Sequence, residues 1–285
     1  MKLYAALLAN QLVLAQTEAL RKSPVTDYQC PHCHKKVVLV NSVDKNAFFK
    51  HEVLSHGQGE QQEHRLSKRY LTSALRSAGI SAQEEISLAS GRLRADIFAA
   101  PNIAFEIQCA PLSVFEFEHR HRLYTSQNIK DVWIVGKRHF LRQRLKKTQM
   151  MFLRYSSFWG WYLLETHVES KTLLLKFDLK EAPVSSQLSY RCQKFMMNSK
   201  GIASLWHFRP NMTACFYASE NQQRLYAQRQ INQKTQLGIK IAEGLYTNGL
   251  TLAQLPSELF TIWRKPGQPV TLLSFLNEQI SKKMQ

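Results

Sequence analysis

The fold is decided by the stretch Arg94-Ala-Asp-Ile-Phe-Ala-Ala-Pro-Asn-Ile-Ala-Phe-Glu-Ile-Gln108. Apolar residues fill both halves, and Pro101-Asn102 is a turn dipeptide, so the stretch predicts two short antiparallel strands. A turn centred on Pro101 places Asp96 opposite Glu106 across the hairpin. Because side chains alternate along a strand, Asp96, Glu106 and Gln108 are predicted to share one face.

Two facing carboxylates repel each other unless a cation lies between them. A hard divalent ion is held by one or two carboxylates and keeps its other positions for water and a substrate phosphate. Asp96 and Glu106 are therefore candidate ligands of Mg²⁺ or Mn²⁺. An exposed hairpin with two solvated acids explains the same pattern, so the rest of the chain has to decide between the two.

The composition describes a globular protein. Hydrophobic residues make up 44% of the 285 residues, and five cysteines are too few for a disulfide scaffold. No stretch is apolar enough over its length to span a bilayer. Residues 3–15 resemble the apolar core of a signal peptide, but Asn10-Gln11 interrupts them, and two strands around that turn are the alternative. We expect a cytoplasmic protein with reduced thiols and no membrane insertion.

The charge is unevenly distributed along the chain. The net charge is +17, with 16 Lys and Arg against 13 Asp and Glu in residues 1–135, but 22 against 8 in residues 136–285. Such an excess predicts a polyanionic partner. Nucleic acid is favoured over a membrane surface because no lipid anchor flanks the basic stretches.

A zinc-site pattern lies near the N-terminus. The spacing Cys-x2-Cys-x17-His-x4-His is formed by Cys30, Cys33, His51 and His56. Thiolates and imidazoles in a set of four are typical of a structural, tetrahedral Zn²⁺ site. Short strands between the two pairs predict a zinc-ribbon-like hairpin. A redox pair of cysteines, or His32 or His34 as a ligand, are the alternatives.

The elements around the first stretch follow a definite order. Periodicity predicts a helix from Glu60 to Ala78, stopped by Gly79, with His64 and Lys68 on one face. Ser113-x-x-Glu116 is a capping box that opens a second helix, up to about Gln127. The strands are expected at residues 82–89, 92–99, 103–109 and 131–136.

This order, helix, three strands, helix and strand, resembles the core of PD-(D/E)XK nucleases, whose signature is Asp followed by Glu-x-Lys. The chain more closely resembles the competence protein CoiA family. The residues that carry this resemblance are Cys30-Pro-x-Cys33 with Phe49-x-His51, Glu63-His64 with Lys68, Arg94-x-Asp96, Phe105-Glu-Ile-Gln108, Arg120-x-x-x-Tyr124 and Val132-Trp-Ile-Val-Gly136.

The resemblance implies roles for the acids. Asp96 and Glu106 would bind Mg²⁺ or Mn²⁺, with Glu85 as an additional acid, for metal-dependent cleavage of a phosphodiester. Gln108 departs from the usual lysine, which would polarise the attacking water, whereas a neutral amide only orients it. Lys68, Arg94, Arg120 and Tyr124 are suited to contact phosphates, or to ordinary packing.

The C-terminal half has no motif that can be matched. Residues 137–147 hold six Lys and Arg without an acid, which predicts a basic helix to about Met151 that binds DNA through Arg142, Arg144, Lys146 and Lys147, or a solvated linker. The aromatics at 155–162 can stack on bases but are better explained as a hairpin core. From about residue 220 the pattern is helical, with helices expected at 220–244, 250–263 and 270–283.

We therefore expect three domains: a zinc-ribbon-like module (1–58), an α/β nuclease-like core with a mixed sheet (59–137) and a basic, mostly helical domain (138–285). The family resemblance implies a DNA-processing protein of natural transformation that promotes recombination of incoming DNA, single-stranded DNA included, together with other competence or recombination proteins. A catalytically inactive DNA-binding accessory protein, favoured by Gln108, and a zinc-ribbon adaptor are the alternatives.

Overall fold

The computed structural model describes residues 3–21, 25, 27–31, 34, 36–42, 45–51, 56–212 and 217–283. The chain divides into two compact units, Met1–Gly59 and Glu60–Gln285. The boundary expected at residue 138 therefore lies inside the second unit.

The first unit is a five-stranded antiparallel sheet in the order β2-β1-β3-β4-β5. Its elements are β1 (Ala5–Leu8), β2 (Gln11–Leu14), α1 (Ala15–Ala19), β3 (Tyr28–Gln29), β4 (Lys36–Ser42) and β5 (Lys45–His51). Tyr28 and Phe49 are buried in its core, with their ring centroids 4.8 Å apart. Residues 3–15 thus form two strands around a turn, one of the two predicted alternatives.

The second unit contains the helix and strands predicted around the first stretch. They are α2 (His56–Ser77), which begins in the first unit, β6 (Ala82–Leu88), β7 (Leu93–Ala99), β8 (Ile103–Gln108), α3 (Val114–Ser126) and β9 (Lys130–Val135). Gly79 ends α2 with φ of +80°, a conformation that favours glycine. Ser113 accepts a hydrogen bond from the Glu116 amide at 3.1 Å, as the capping box predicts.

Four more strands extend the same sheet. They are β10 (Arg154–Ser156), β11 (Gly160–His167), β12 (Thr172–Glu181) and β13 (Leu188–Met196). The eight-stranded sheet has the order β13-β12-β11-β9-β8-β7-β6, and β10 pairs with β11. Among the strands that the structure describes, only the pairs β8–β9 and β9–β11 are parallel, so the predicted mixed sheet is confirmed. Residues 138–196 therefore belong to the α/β core rather than to a helical domain.

The segment predicted as a basic helix is not one. Only α4 (Lys147–Met150) is an α-helix there, after a short 3-10 turn at Lys137–His139. The backbone of buried Leu141 is bound by side chains of two distant strands. Its amide donates to Glu165 of β11 at 2.6 Å, and Lys176 of β12 donates to its carbonyl. These bonds replace those that a helix would make at this position.

Helices form the end of the chain, as predicted. After α5 (Ser199–Trp206) come α6 (Glu220–Asn232), α7 (Gln236–Asn248), α8 (Glu258–Thr261) and α9 (Thr271–Lys283). The single helix expected at 220–244 is two helices, because Thr235 caps α7 by accepting from the Gly238 amide at 3.1 Å. A Cβ on Gly238 would overlap the Gln230 carbonyl, so only glycine allows α6 and α7 to approach this closely.

The helical end is joined to the sheet by Arg264. Its buried guanidinium lies 3.2 Å from the Glu181 carboxylate and donates to the carbonyls of Ala182, Ser185 and Gln268. Backbone hydrogen bonds run both ways between Glu181 and Arg264. In the part of the chain that the structure describes, no helix is long and apolar enough to cross a membrane.

Candidate functional site

The register of the central hairpin is the predicted one. Ile97 pairs with Phe105 and Ala99 with Ile103, so one further step along the strands places Asp96 across from Glu106. At that step the Ile107 amide donates to the Asp96 carboxylate at 2.8 Å. The regular pairing of β7 with β8 therefore ends at Asp96, because the Ile107 amide donates to the Asp96 side chain and not to a backbone carbonyl of β7.

Strand β7 changes faces at the same position. Ile97 packs in the cluster that contains Leu71 and Leu75 of α2. Ala95 packs in a different cluster, with Tyr124 of α3. Two residues apart on a regular strand, these side chains would share a face. The irregularity turns the Asp96 carboxylate to α2, where His64 Nε2 lies 3.0 Å from Asp96 Oδ2.

Asp96 is arranged to remain ionised. Burial by itself would raise the pKa of this carboxyl group. The bonds from His64 and the Ile107 amide and the charge of Arg120 outweigh burial, so the pKa lies below its ordinary value. Asp96 is thus a stable negative charge at neutral pH.

Glu106 is held differently, by α3. Its side chain is buried, and its two oxygens accept from Arg120 and Tyr124. Burial raises the pKa of Glu106 to about 8, with Arg120 opposing the shift and Asp96 adding to it. The two carboxylates therefore influence one another electrostatically. They bond to different helices, however, Asp96 to His64 of α2 and Glu106 to Arg120 and Tyr124 of α3. These contacts differ from those expected of two acids on one face of the hairpin.

The third acid, Glu85, also has cationic partners. Lys68 of α2 donates to one of its oxygens, and Arg94 pairs with the other. We refer to Glu85, Asp96 and Glu106 with these partners as the acid cluster. Each acid in the cluster faces a basic side chain, and two of the bases, His64 and Lys68, come from the helix face that their spacing predicts.

Several residues proposed to contact phosphate are not placed to do so. Tyr124 is fully buried and Lys68 is 8% exposed, because both bond to acids of the cluster. Arg120 bonds to Glu106 and to the Arg94 carbonyl. Arg94 has an exposed side chain, and it is the one of these four that reaches solvent to a large extent.

The arrangement does not fit a divalent ion. Both oxygens of Glu106 are engaged, and the guanidinium of Arg120 lies where a cation would neutralise this carboxylate. The Gln108 amide donates to the Ala110 carbonyl at 2.6 Å, which turns its N–H group towards its own chain. Among the residues that the structure describes, no group of three or more His, Cys, Asp and Glu side chains is arranged to hold a metal ion.

His64 is not among the residues that the sequence predicts for the site. Its signal in the sequence is the Glu63-His64 pair on the first helix, which indicates a helix face but not the strand residue opposite it. Glu63 has a separate role: it accepts from the Lys137 amide at 2.8 Å. Gly136 allows this approach, since a Cβ there would come within 3.0 Å of the Glu63 carboxyl carbon.

Of the proposed zinc ligands, Cys30 alone has a described side chain, and it is buried. Cys33 lies outside the described residues, as does the alternative His32, and the side chains of His51 and His56 are outside the description as well. The strands predicted between the two ligand pairs are present as β4 and β5. Of the basic residues expected to bind DNA, Arg142, Arg144, Lys146 and Lys147 are all exposed.

The comparisons with known proteins bear on the second unit. A family model described as Competence protein CoiA, nuclease-like domain, matches residues 60–210, just over half of the chain. The matched segment includes the acid cluster and the strands up to β13. No curated protein and no solved structure gives a significant match.

Proposed function

The chain belongs to the competence protein CoiA family, and from this we propose that it is a cytoplasmic DNA-processing protein of natural transformation that promotes recombination of incoming DNA. The match of the nuclease-like domain to residues 60–210 carries this proposal. The net charge of +17 supports it, since a basic surface binds the phosphate backbone without sequence preference.

We further propose that the nuclease-like core acts by holding DNA rather than by hydrolysing it. The supporting observation is the engagement of Glu106 by Arg120 and Tyr124. In such an arrangement the acid cluster fixes the position of α2 and α3 against the sheet, and the exposed basic residues make the DNA contacts.

A second candidate is metal-dependent hydrolysis, for which Asp96 is the favourable observation. This carboxylate stays charged next to Glu106-x-Gln108, in the order of the PD-(D/E)XK signature. For Asp96, Glu106 and the Ile107 carbonyl to hold Mg²⁺ or Mn²⁺, with Glu85 nearby, Glu106 would have to exchange its bonds to Arg120 and Tyr124 for the ion. Gln108 would likewise have to leave the Ala110 carbonyl to orient water.

One experiment decides between the two candidates. Labelled single-stranded and duplex DNA are incubated with the protein and Mg²⁺, Mn²⁺ or EDTA, alongside Asp96→Ala. Binding without cleavage in every condition is the expected result. Cleavage with Mg²⁺ that is lost both in EDTA and in Asp96→Ala would establish hydrolysis instead. Gln108→Lys is the companion variant, because it restores the usual lysine and is the change most able to reveal a silent site.

We also propose a structural Zn²⁺ in the first unit, bound by Cys30, Cys33, His51 and His56. The strand register supports it, since His51 pairs with Val37 and Val37 pairs with Tyr28, two residues before Cys30. Metal analysis of the purified protein is expected to find one zinc. Loss of the metal and of the fold of the first unit in Cys30→Ser with Cys33→Ser is the expected companion result, because zinc binding and folding are coupled. A protein without zinc, with both thiols reactive in the native state, would refute it.

A further inference from the structure

A groove separates two strands that diverge within the main sheet. β9 and β11 pair only at Ile134–Leu164 and Val135–Glu165. Towards the start of β9 the β10–β11 hairpin moves away, and the gap widens into a groove of about 610 Å³. It is lined by Tyr155, Phe158 and Trp159 of the hairpin, by Trp206 at the end of α5, and by Arg209 just beyond it.

Exposed aromatic side chains line this groove, next to aromatic residues that pack in the core. Tyr155 is 67% exposed, Phe158 50% and Trp206 48%. Their neighbours Trp159 and Tyr162 pack against the core instead, and the Trp159 indole donates to the Phe208 carbonyl at 3.0 Å. Single exposed apolar residues are common on protein surfaces, whereas several grouped together mark a binding site.

A second groove, of about 350 Å³, continues from the first. Tyr155 lines both grooves, and the second adds Trp161, Trp263 and Tyr217, which is 75% exposed. We call the exposed rings of Tyr155, Phe158, Trp206 and Tyr217 the aromatic track. The track shares no lining residue with the acid cluster.

The charges along the track favour an anion. Lys130, Arg154 and Arg209 line the first groove, and Lys180 and Lys265 line the second. Arg264 also borders the second groove, but its buried guanidinium is already paired with Glu181. The two acids that line the grooves have partners. Asp131 accepts from the Trp133 indole and faces His121 and Arg154, and Asp178 lies 3.0 Å from Lys180.

Arg209 already stacks on one of the aromatic rings of the groove, and a bound base would add a further layer to this stack. Its guanidinium carbon lies 3.9 Å from the centroid of the Phe158 ring. Planar cations and exposed rings next to one another are the surfaces on which nucleobases stack.

We propose that the aromatic track binds single-stranded DNA, with bases stacked on the exposed rings and phosphates facing the basic side chains. Unpaired bases are the ligand because their faces are available, whereas a duplex keeps them stacked inside the helix. The proposal rests on the proposed role in DNA processing and specifies the form of DNA that is bound and where.

The test compares three fluorescent probes of about 15 nucleotides, near the upper site size of an OB fold that binds single strands. They are a single strand of mixed sequence, the same sequence as a duplex, and an abasic strand with equal charge but no bases. Binding to the full chain is measured by anisotropy for the wild type, Tyr155→Ala with Phe158→Ala, and Tyr155→Phe. Tyr246→Ala is the matched control, since Tyr246 is 90% exposed and does not line either groove.

The wild type is expected to bind the single strand more tightly than the abasic strand or the duplex. Tyr155→Ala with Phe158→Ala should weaken single-strand binding roughly five- to 150-fold for each ring that holds a base. Tyr155→Phe and Tyr246→Ala should bind as the wild type does. Circular dichroism checks that the double variant is folded, and Tyr155→Ala alone replaces it if it is not.

Three results would overturn the proposal. Equal affinity for the abasic and the normal strand would show that charge alone is bound. An unaffected double variant would move the single-strand site elsewhere while leaving DNA binding intact. Tighter binding of a matched RNA strand would reassign the ligand to RNA. A wild type that binds none of the probes would instead refute the proposed function itself.

Discussion

The acid cluster and the aromatic track lie in one unit but compensate their charges in opposite ways. In the cluster, Glu85, Asp96 and Glu106 each face a basic side chain of the same chain. In the track, basic side chains outnumber acids, and the acids already have partners. A site with internal compensation holds elements of the fold together, whereas a site with excess charge is prepared for a ligand that brings the opposite charge.

The largest expected effect comes from breaking the compensation in the cluster. Above a pH of about 8, where Glu106 is ionised, Arg120→Ala leaves the buried Glu106 carboxylate without its cation, so the free energy of unfolding should fall by about 3–5 kcal/mol. Urea denaturation at about pH 9 measures this change. Arg122→Ala on the same helix is the control, because the Arg122 side chain is exposed and its hydrogen bond is made to the Glu118 carbonyl. Equal stability of the two variants would show that Glu106 needs no cation.

The second prediction concerns the pH dependence of the same group. The pKa of Glu106 is raised from 4.5 to about 8, so the folded protein retains a proton that the unfolded chain releases. The stabilisation that comes from this retained proton is fully present below pH 4.5 and is lost as the pH rises through 8. Over that range the free energy of unfolding should fall by up to about 1.4 kcal/mol per pH unit. Glu106→Gln should lack this decline, and exposed Glu118→Gln should keep it. Parallel stability profiles for the wild type and Glu106→Gln between pH 5 and pH 9 would contradict the raised pKa.

The third prediction separates charge from stacking in DNA binding. The logarithm of the DNA affinity falls linearly with the logarithm of the salt concentration, and each phosphate contact adds roughly one to the slope. Replacing Arg142, Arg144, Lys146 and Lys147 with Ala should therefore reduce the slope by roughly one for each phosphate contact that is lost. Loss of rings from the aromatic track should lower the affinity with little change of slope, because stacking releases no counterions. Titrations at several salt concentrations give both quantities. An unchanged slope in the fourfold variant would mean that these side chains face only solvent.

The smallest expected effect is that of removing divalent ions. If the core holds DNA through exposed basic and aromatic residues, EDTA should leave the DNA affinity within about two-fold, since counterion release depends on protein cations. The measurement is the same anisotropy titration with Mg²⁺ or with EDTA. A large loss in EDTA that is reproduced by Asp96→Ala would place an ion in the acid cluster and make the cluster, like the track, a ligand site.

Local signals in the sequence predicted the order of elements from residue 60 to 136. Gly79, Pro101-Asn102 and Ser113 each act on their immediate neighbours, so the C-terminal end of α2, the hairpin turn and the start of α3 could be located. The start of α2, expected at Glu60, lies at His56. The hairpin register followed from the position of the turn. The C-terminal helices were visible for the same reason, apart from the break at Thr235 and the helix expected at 250–263, which consists of a 3-10 turn at Leu252–Gln254 and the four-residue α8.

The errors arose where remote residues decide the local structure. The basic segment failed to form a helix because Glu165 and Lys176 hold Leu141, and both are more than twenty residues away. The pairing of Asp96 with His64 and of Glu106 with Arg120 depends equally on how α2 and α3 are placed over the sheet. Hydrophobic periodicity locates such helices, but it does not show which acid each basic side chain will meet.

The bonds of Arg264 to Glu181 and its neighbours have a consequence for folding during synthesis of the chain. The family match ends at residue 210, yet Glu181 in β12 obtains its buried guanidinium from residue 264. During vectorial synthesis the Glu181 carboxylate and the neighbouring carbonyls therefore lack their partner until residue 264 has been made. Chains terminated early, by a nonsense codon or by proteolysis, would contain the whole matched segment and still lack the ion pair that closes it.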